Sequence, residues 1–409
     1  MQCIHGALPC RDGEEWTTPT SSAPNWDHSL GPIKQAGLVD TWYWRACFSR
    51  LSLSHIILPV LAFPAFEQAS PATYVPYHRD KVWVSVTGIC IDPEEDPTSD
   101  YGDSIATSEF TSVNTRELYS YEHGRRYQGF LCGRYGLPND DAEQVREGLK
   151  HKLYLDYLLD GKLFLAPIGN NPQKIVDLGT GVGMWAQDVA ENFPSARVIG
   201  CDLSPIQPHW TPPNVEFRVE DLEDENRPWT RIYDDADLIH VRALLQTLRK
   251  PRQLLERAFE KLKPGAWIEI HEIVPFVFSV DGTAGDDHPM NQFYRLVEGP
   301  FTTIYGWNLR FPFQIVEALR DVGFINVNER HSYTPVGRWH QEAKMREMGI
   351  FTQNILEEWV TAMLGRPDIM GVTEEEAYEL GHSVFETFNN TRIHAQLDWI
   401  DCWAQKPLS

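Results

Sequence analysis

Three glycines at alternate positions follow an acidic residue in Lys174-Ile-Val-Asp-Leu-Gly-Thr-Gly-Val-Gly-Met-Trp185. Without a Cβ, Gly179, Gly181 and Gly183 let the chain turn tightly and pass close to a ligand. A helix that starts directly after such a turn offers free N–H groups and the positive end of its dipole to an anion. Asp177 ends the preceding strand, where it can orient the turn around Thr180 and accept from an ammonium group. S-adenosylmethionine carries both complementary groups, a carboxylate and an ammonium, on its methionine portion. A dinucleotide turn instead needs G-x-G-x-x-G, with its third glycine at position 184. That position is Met184, so the spacing favours S-adenosylmethionine over NAD.

Two more acidic residues stand where an adenosine needs them. Asp202, followed by Leu203, closes the strand Val198-Ile-Gly-Cys-Asp202, and a carboxylate there can accept from both ribose hydroxyls. Asp221 follows the next strand in Phe217-Arg-Val-Glu-Asp221. It either accepts from the adenine amino group, with Leu222 packed on the ring or donating its N–H, or it is one acid among several on a solvated surface. The chemistry such a cofactor supplies is displacement at a sulfonium methyl. Positioning alone contributes on the order of 7–11 kcal/mol to reactions of this kind. A base is needed only where the acceptor must first lose a proton. His240, at the end of a strand, is the candidate base, or else a structural histidine. Arg242 is a candidate salt-bridge or anion partner rather than a catalyst, and His271 and Glu272 are further candidates. Tyr121, Arg126 and Tyr127 form either a lid, with Arg126 on the methionine carboxylate, or a packed strap. No spacing of His, Cys, Asp or Glu supports a metal site.

The elements that must position these residues alternate strand and helix beyond Pro172, which means an α/β domain with a parallel sheet. Strands are expected at 174–178, 196–201, 215–219, 236–240, 266–273, 325–329 and 394–405, with helices at 184–192, 251–262, 313–322, 341–364 and 373–388. Ahead of them, Leu137-Pro-Asn-Asp140 starts a helix capped by Asn139 or Asp140. That helix is amphipathic through Val145, Leu149, Leu153, Tyr157 and Leu158. The chain divides into 1–98, a poorly ordered appendage; 99–171, a strap and helix packed on the core; and 172–409, the catalytic domain with insertions at about 275–312 and 339–390. Aromatic residues of the first insertion, among them Phe293, Tyr294, Phe301 and Trp307, are expected to pack as core or to roof an acceptor pocket.

With 58 acidic against 36 basic residues the chain carries a formal charge of −22. That charge repels phosphate backbones and anionic membranes, so neither nucleic acid nor membrane is an expected partner. Seven cysteines lie scattered with no C-x-x-C, which argues for free thiols in a reducing compartment, the cytoplasm or the nucleus. The apolar run at 51–66 is too short to span a bilayer.

These motifs carry a resemblance. Ser99-Asp-Tyr-Gly-Asp-Ser104, His123-Gly-Arg-Arg-Tyr127, Leu159-Asp-Gly-Lys-Leu163, Asp177-Leu-Gly-Thr-Gly181, Cys201-Asp-Leu-Ser-Pro-Ile-Gln-Pro208, Asp237-Leu-Ile-His-Val-Arg242 and Leu262-Lys-Pro-Gly265 resemble the LaeA-like family of fungal class I methyltransferases. The likeness runs from about Ser99 to Pro407. It departs at Val182 and Met184, where family members usually carry Thr and Ile. The resemblance implies a Rossmann-like sheet of seven strands with the last antiparallel, an N-terminal helical strap and an S-adenosylmethionine cofactor. It also implies a place in secondary metabolism. The acceptor is then a small hydrophobic metabolite; the alternative is a regulator that binds the cofactor and acts through protein partners or protein methylation.

Overall fold

The computed structural model describes residues 119–131, 133–226, 229 and 231–409. The readings made for 1–98, and for the matched stretch at 99–104, lie outside the described residues. The strap opens as a hairpin: β1 (Tyr119–Glu122) and β2 (Arg125–Gln128) pair antiparallel. His123 and Gly124 make the turn at φ of 49° and 74°. Helix α1 (Asp141–Leu153) follows, capped by Asp140, whose carboxylate accepts from the Glu143 amide at 3.2 Å. Its final turn loosens into a π-helical segment, Tyr154–Leu158.

Leu153 and Leu158 are buried as their spacing predicts, but Val145 is 49% exposed. The inward face near the start of α1 is instead Glu143, Arg146 and Lys150, three charged residues buried against one another. The helix is thus rotated relative to its apolar pattern.

Strands β3 (Lys174–Leu178), β4 (Arg197–Asp202), β5 (Val215–Val219), β6 (Ala236–Arg242), β7 (Leu262–Phe278), β8 (Ile325–Pro335) and β9 (Gln396–Gln405) form one seven-stranded sheet. Its order is β5-β4-β3-β6-β7-β9-β8. Only β9 runs against the rest, inserted between β7 and β8. Helix α2 (Met184–Asn192) covers one face, with Ile175, Val198 and Leu238 beneath it. The other face buries Val176, Leu178, Ile239, Val241, Ile268 and Ile270 under α3 (Pro251–Lys261) and α5 (Ile315–Val322). Between β4 and β5 no helix forms. Pro205, Pro208, Pro212 and Pro213 remove four amide donors from that connection.

Strands β7 and β8 run well past 266–273 and 325–329, because β9 pairs with both along their length. The insertions supply a cap. Helix α4 (Pro289–Tyr305) comes from the first. The second gives α6 (Ala343–Leu364), α7 (Pro367–Met370) and α8 (Glu374–Asn389). Phe293, Phe301, Trp307, Ile355, Val384 and Trp399 form the cap's core. None of the described helices is long and apolar enough to cross a membrane.

The α2 face of the sheet changes character along its strands. Apolar Ile175, Leu238 and Trp267 give way to Asp177, His240 and Glu269, which are neighbours in register. Two residues further on, Arg242, His271, Asp401 and Arg330 form a second row across β6, β7, β9 and β8. A buried charged layer therefore underlies α1 and the strap.

Candidate functional site

The glycine turn joins β3 to α2 as expected. Gly183 sits at φ 79°, and a Cβ there would meet the Phe217 ring at 2.3 Å. Gly181, at φ 55°, would meet nothing within 4 Å, because its α-carbon faces open space. The turn's amides are engaged internally. Those of Gly179 and Thr180 both donate to the Cys201 carbonyl at 2.9 Å. The Gly183 amide donates to the Thr180 carbonyl at 2.9 Å, and that of Gly181 to Asp202 Oδ2 at 2.9 Å. These four amides therefore hold the turn in shape.

Asp177 is buried and orients the turn: Oδ2 accepts from Thr180 Oγ1 at 2.6 Å, and Oδ1 lies 2.7 Å from His240 Nδ1. Neither Asp177 nor Thr180 lies on the wall of the cavity described below.

His240, the candidate base or structural histidine, is enclosed in the sheet's α2 face. Its side chain is 1% exposed and stacks on Trp185 with centroids 3.6 Å apart. Burial pushes its pKa down to about 4, so the ring is neutral and Nδ1–H donates to Asp177. It does not line the cavity. His240→Phe should keep the stack but leave Asp177 short of one donor. The expected cost is about 1–3 kcal/mol of stability, with the shape of the pH–rate profile unchanged. Thermal melts and turnover against pH check this; an ionisation lost from the profile at unaltered melting temperature would restore the base. His271 and Glu272 are equally buried and off the wall. Glu272 instead accepts from the amides of Leu244 and Leu245 at 3.0 and 2.7 Å and so fixes the loop after β6.

A cavity of about 200 Å³ opens above the carboxyl edge of the sheet. Gly179, Gly181, Asp202, Leu203, Asp221 and Leu222 line one side. Asp202 accepts from the Gly181 and Ser204 amides, each at 2.9 Å, one on each oxygen. A carboxylate has about four acceptor sites, so it keeps capacity for more donors. Burial raises its pKa to about 6. Asp221 accepts from the Glu223 amide at 2.9 Å and lies 3.6 Å from Arg134 Nε. It is a cavity residue rather than one more solvated acid.

The strap reaches the cavity later than expected, through Arg134, Tyr135, Leu137, Pro138 and Asn139. Arg126 and Tyr127 are not on the wall. The Arg126 guanidinium donates to Asn139, at 3.0 Å to Oδ1 and 2.6 Å to the carbonyl. Asn139 in turn donates to Ser204 Oγ at 3.2 Å, so Arg126 acts on the site only through Asn139. Tyr127 is buried under Arg366, whose guanidinium lies 4.8 Å from the ring, and Tyr121 is 73% exposed. Sequence reasoning missed the stripe Glu143, Arg146, Glu147 and Lys150, all on the wall. Its spacing of three and four residues was the available signal, but the same spacing marks an ordinary solvated helix face.

Two acidic acceptors at or just past the ends of the adjacent strands β4 and β5, with open space over Gly181 beside Asp202, suit an adenosine with an aminoacyl tail. Comparison with known proteins agrees. Residues 149–329 match a methyltransferase domain model. The chain is 34% identical to methyltransferase pytC of Aspergillus terreus over 310 residues, covering 75% of this chain and 92% of that protein. It is 31% identical to the protein-methionine methyltransferase laeA of Emericella nidulans, covering 73% and 79%. It is also 31% identical to the secondary metabolism regulator LAE1 of Cochliobolus heterostrophus, covering 70% and 97%. With its sheet order, its glycine turn and these relatives, the chain belongs to the LaeA-like family of fungal class I methyltransferases, enzymes whose cofactor is S-adenosylmethionine.

Proposed function

We propose that this methyltransferase methylates a small, largely apolar molecule held between the glycine turn and the cap. One observation carries the reading: a single cavity is walled on one side by Asp202 and Asp221, and on the other by Ile273, Tyr294, Trp307, Leu309, Ile355 and Trp359. Bound S-adenosylmethionine supplies an electrophilic methyl group. Asp202 accepts from the ribose hydroxyls, with Leu203 beside it, and Asp221 and Leu222 hold the adenine. Gly179, Gly181 and Gly183 keep the turn clear of side chains, while Asp177 and Thr180 hold its shape from beneath. Among the described residues no histidine lines the cavity. Apolar walls exclude water and orient the acceptor, so rate comes from positioning rather than from proton abstraction by His240.

A protein-borne acceptor is the second reading, supported by the likeness to a protein-methionine methyltransferase. Incubating the protein with trideuteromethyl-labelled cofactor and fungal extract, followed by mass spectrometry, separates the two. We expect label in small apolar compounds. Trp359→Ala should lower product formation by roughly tenfold, the effect of a misplaced acceptor, with affinity for S-adenosylhomocysteine unchanged. Label confined to protein would overturn the small-molecule reading.

A further inference from the structure

Four cationic side chains lie on the cavity wall: Arg134, Arg146, Lys150 and Arg242. Three are matched by carboxylates. Arg134 pairs with Glu223 and lies near Asp221. Arg146 is held by Glu143 and Glu147, each at 2.6 Å, and Lys150 by Glu147 at 2.6 Å. Arg242 is different. Its contacts are a hydrogen bond from Nη2 to His151 Nδ1 at 3.2 Å and the ring of Tyr154, 5.4 Å away. Among the described residues no carboxylate forms a close ion pair with it; Glu147 feels its charge but is bonded to Arg146 and Lys150.

The arrangement around Arg242 fixes its direction. His151 Nε2 lies 3.0 Å from Asp188 Oδ2, and with the proton on Nε2 the other nitrogen is left to accept from Arg242. Burial holds the His151 pKa below its ordinary value, which keeps the ring neutral and able to do so. Arg242 also ends β6 directly beside the glycine turn, since Leu178 is the register partner of Val241. Its register neighbour on β7 is His271, itself an imidazolium between Asp401 and Glu269. Four amides of the turn are already engaged, and the Arg242 side chain beside it offers further donors to an anion lying over the turn. The one anionic group of the cofactor is the carboxylate of its methionine portion.

We propose that Arg242, with Lys150 on the same wall, binds the amino-acid carboxylate of S-adenosylmethionine, and that His151 and Tyr154 position the Arg242 guanidinium. This is the task that the sequence suggested for Arg126. A guanidinium presents paired donors that suit a carboxylate better than an ammonium does. The inference rests on the cofactor and not on the acceptor proposed above.

Calorimetry on the full chain tests it with two ligands, S-adenosylhomocysteine and 5′-methylthioadenosine. Both carry the adenosine and the thioether, and only the first carries the amino-acid carboxylate. Arg242→Gln should weaken S-adenosylhomocysteine by about tenfold or more, the range for a hydrogen bond to a charged group, and leave 5′-methylthioadenosine within about twofold. Arg242→Lys should recover part of the loss. Lys150→Gln should weaken the first ligand selectively and by less, which keeps the test open if Arg242→Gln folds poorly. Equal losses for both ligands would make Arg242 a scaffold residue and overturn the proposal. So would unchanged affinity for S-adenosylhomocysteine in Arg242→Gln and Lys150→Gln.

Discussion

Asp202→Asn is expected to weaken S-adenosylhomocysteine binding by roughly ten- to 150-fold, or about 1.5–3 kcal/mol, the cost of losing hydrogen bonds to a charged group. Asp202 already accepts from the Gly181 and Ser204 amides, one on each oxygen at 2.9 Å. An asparagine must turn its NH₂ toward one of those donors, and the one oxygen left cannot accept from two ribose hydroxyls and an amide equally well. Protonation should mimic the substitution. Burial raises the Asp202 pKa to about 6, so the carboxylate is charged at neutral pH and neutral below that value. Affinity should be flat above about pH 7 and fall as pH drops through about 6. In Asp202→Asn this acid limb should vanish, leaving a weak and pH-independent affinity. Titrations at a series of pH values read both effects at once. Wild-type affinity in the variant at neutral pH would place the ribose on another residue.

The parts of this site that were legible in the sequence are those whose chemistry and position are both local. Gly179, Gly181 and Gly183 follow a strand and start a helix, and Asp202 and Asp221 each stand at or just past a strand's end. A parallel sheet brings such positions to one edge without further information. Arg126 failed this test, because a hairpin turns it toward Asn139 and delivers Arg134 to Asn139 to the cavity instead. The stripe on α1 failed for another reason. Charges at spacings of three and four read as a solvated face. They are buried here only because the sheet edge and the cap helix α6 close over them, which is tertiary information. His240-Val-Arg242 and Glu269-Ile-His271 are intermediate cases. Polar residues at alternate positions in strands buried on both faces are visible in one dimension. The register that makes them rows, and separates the buried His240 from the cavity-facing Arg242, is not.

Asp401→Asn is expected to lower stability by about 3–5 kcal/mol, the cost of removing one partner from a buried ion network. Asp401 is fully buried on β9 between two cations. Oδ1 accepts from His271 Nδ1 at 2.6 Å, and Oδ2 from Arg330 at 2.6 and 3.0 Å. The amide keeps the volume and removes the charge, so the loss is electrostatic rather than a cavity. His271 would be left with Glu269, 2.9 Å from Nε2. Glu269 is itself shared with the Leu165 and Ala166 amides, at 2.8 and 2.6 Å, so the strap should loosen along with the sheet. The pH dependence has a definite sign. These carboxylates raise the His271 pKa to about 9, above its ordinary 6.5. The network's contribution through His271 is therefore complete below about pH 6.5 and lost as pH rises through about 9. Asp401 is held below the ordinary carboxylate value of 3.8, so its contribution fails only in acid, as pH falls below that value. Wild-type protein should show a plateau with an alkaline limb, and Asp401→Asn a lower curve in which that limb is shallower. Urea unfolding from about pH 6 to 10 measures both. A variant within about 1 kcal/mol of wild type, or an unchanged alkaline limb, would mean that the row across β6, β7, β9 and β8 adds little to stability.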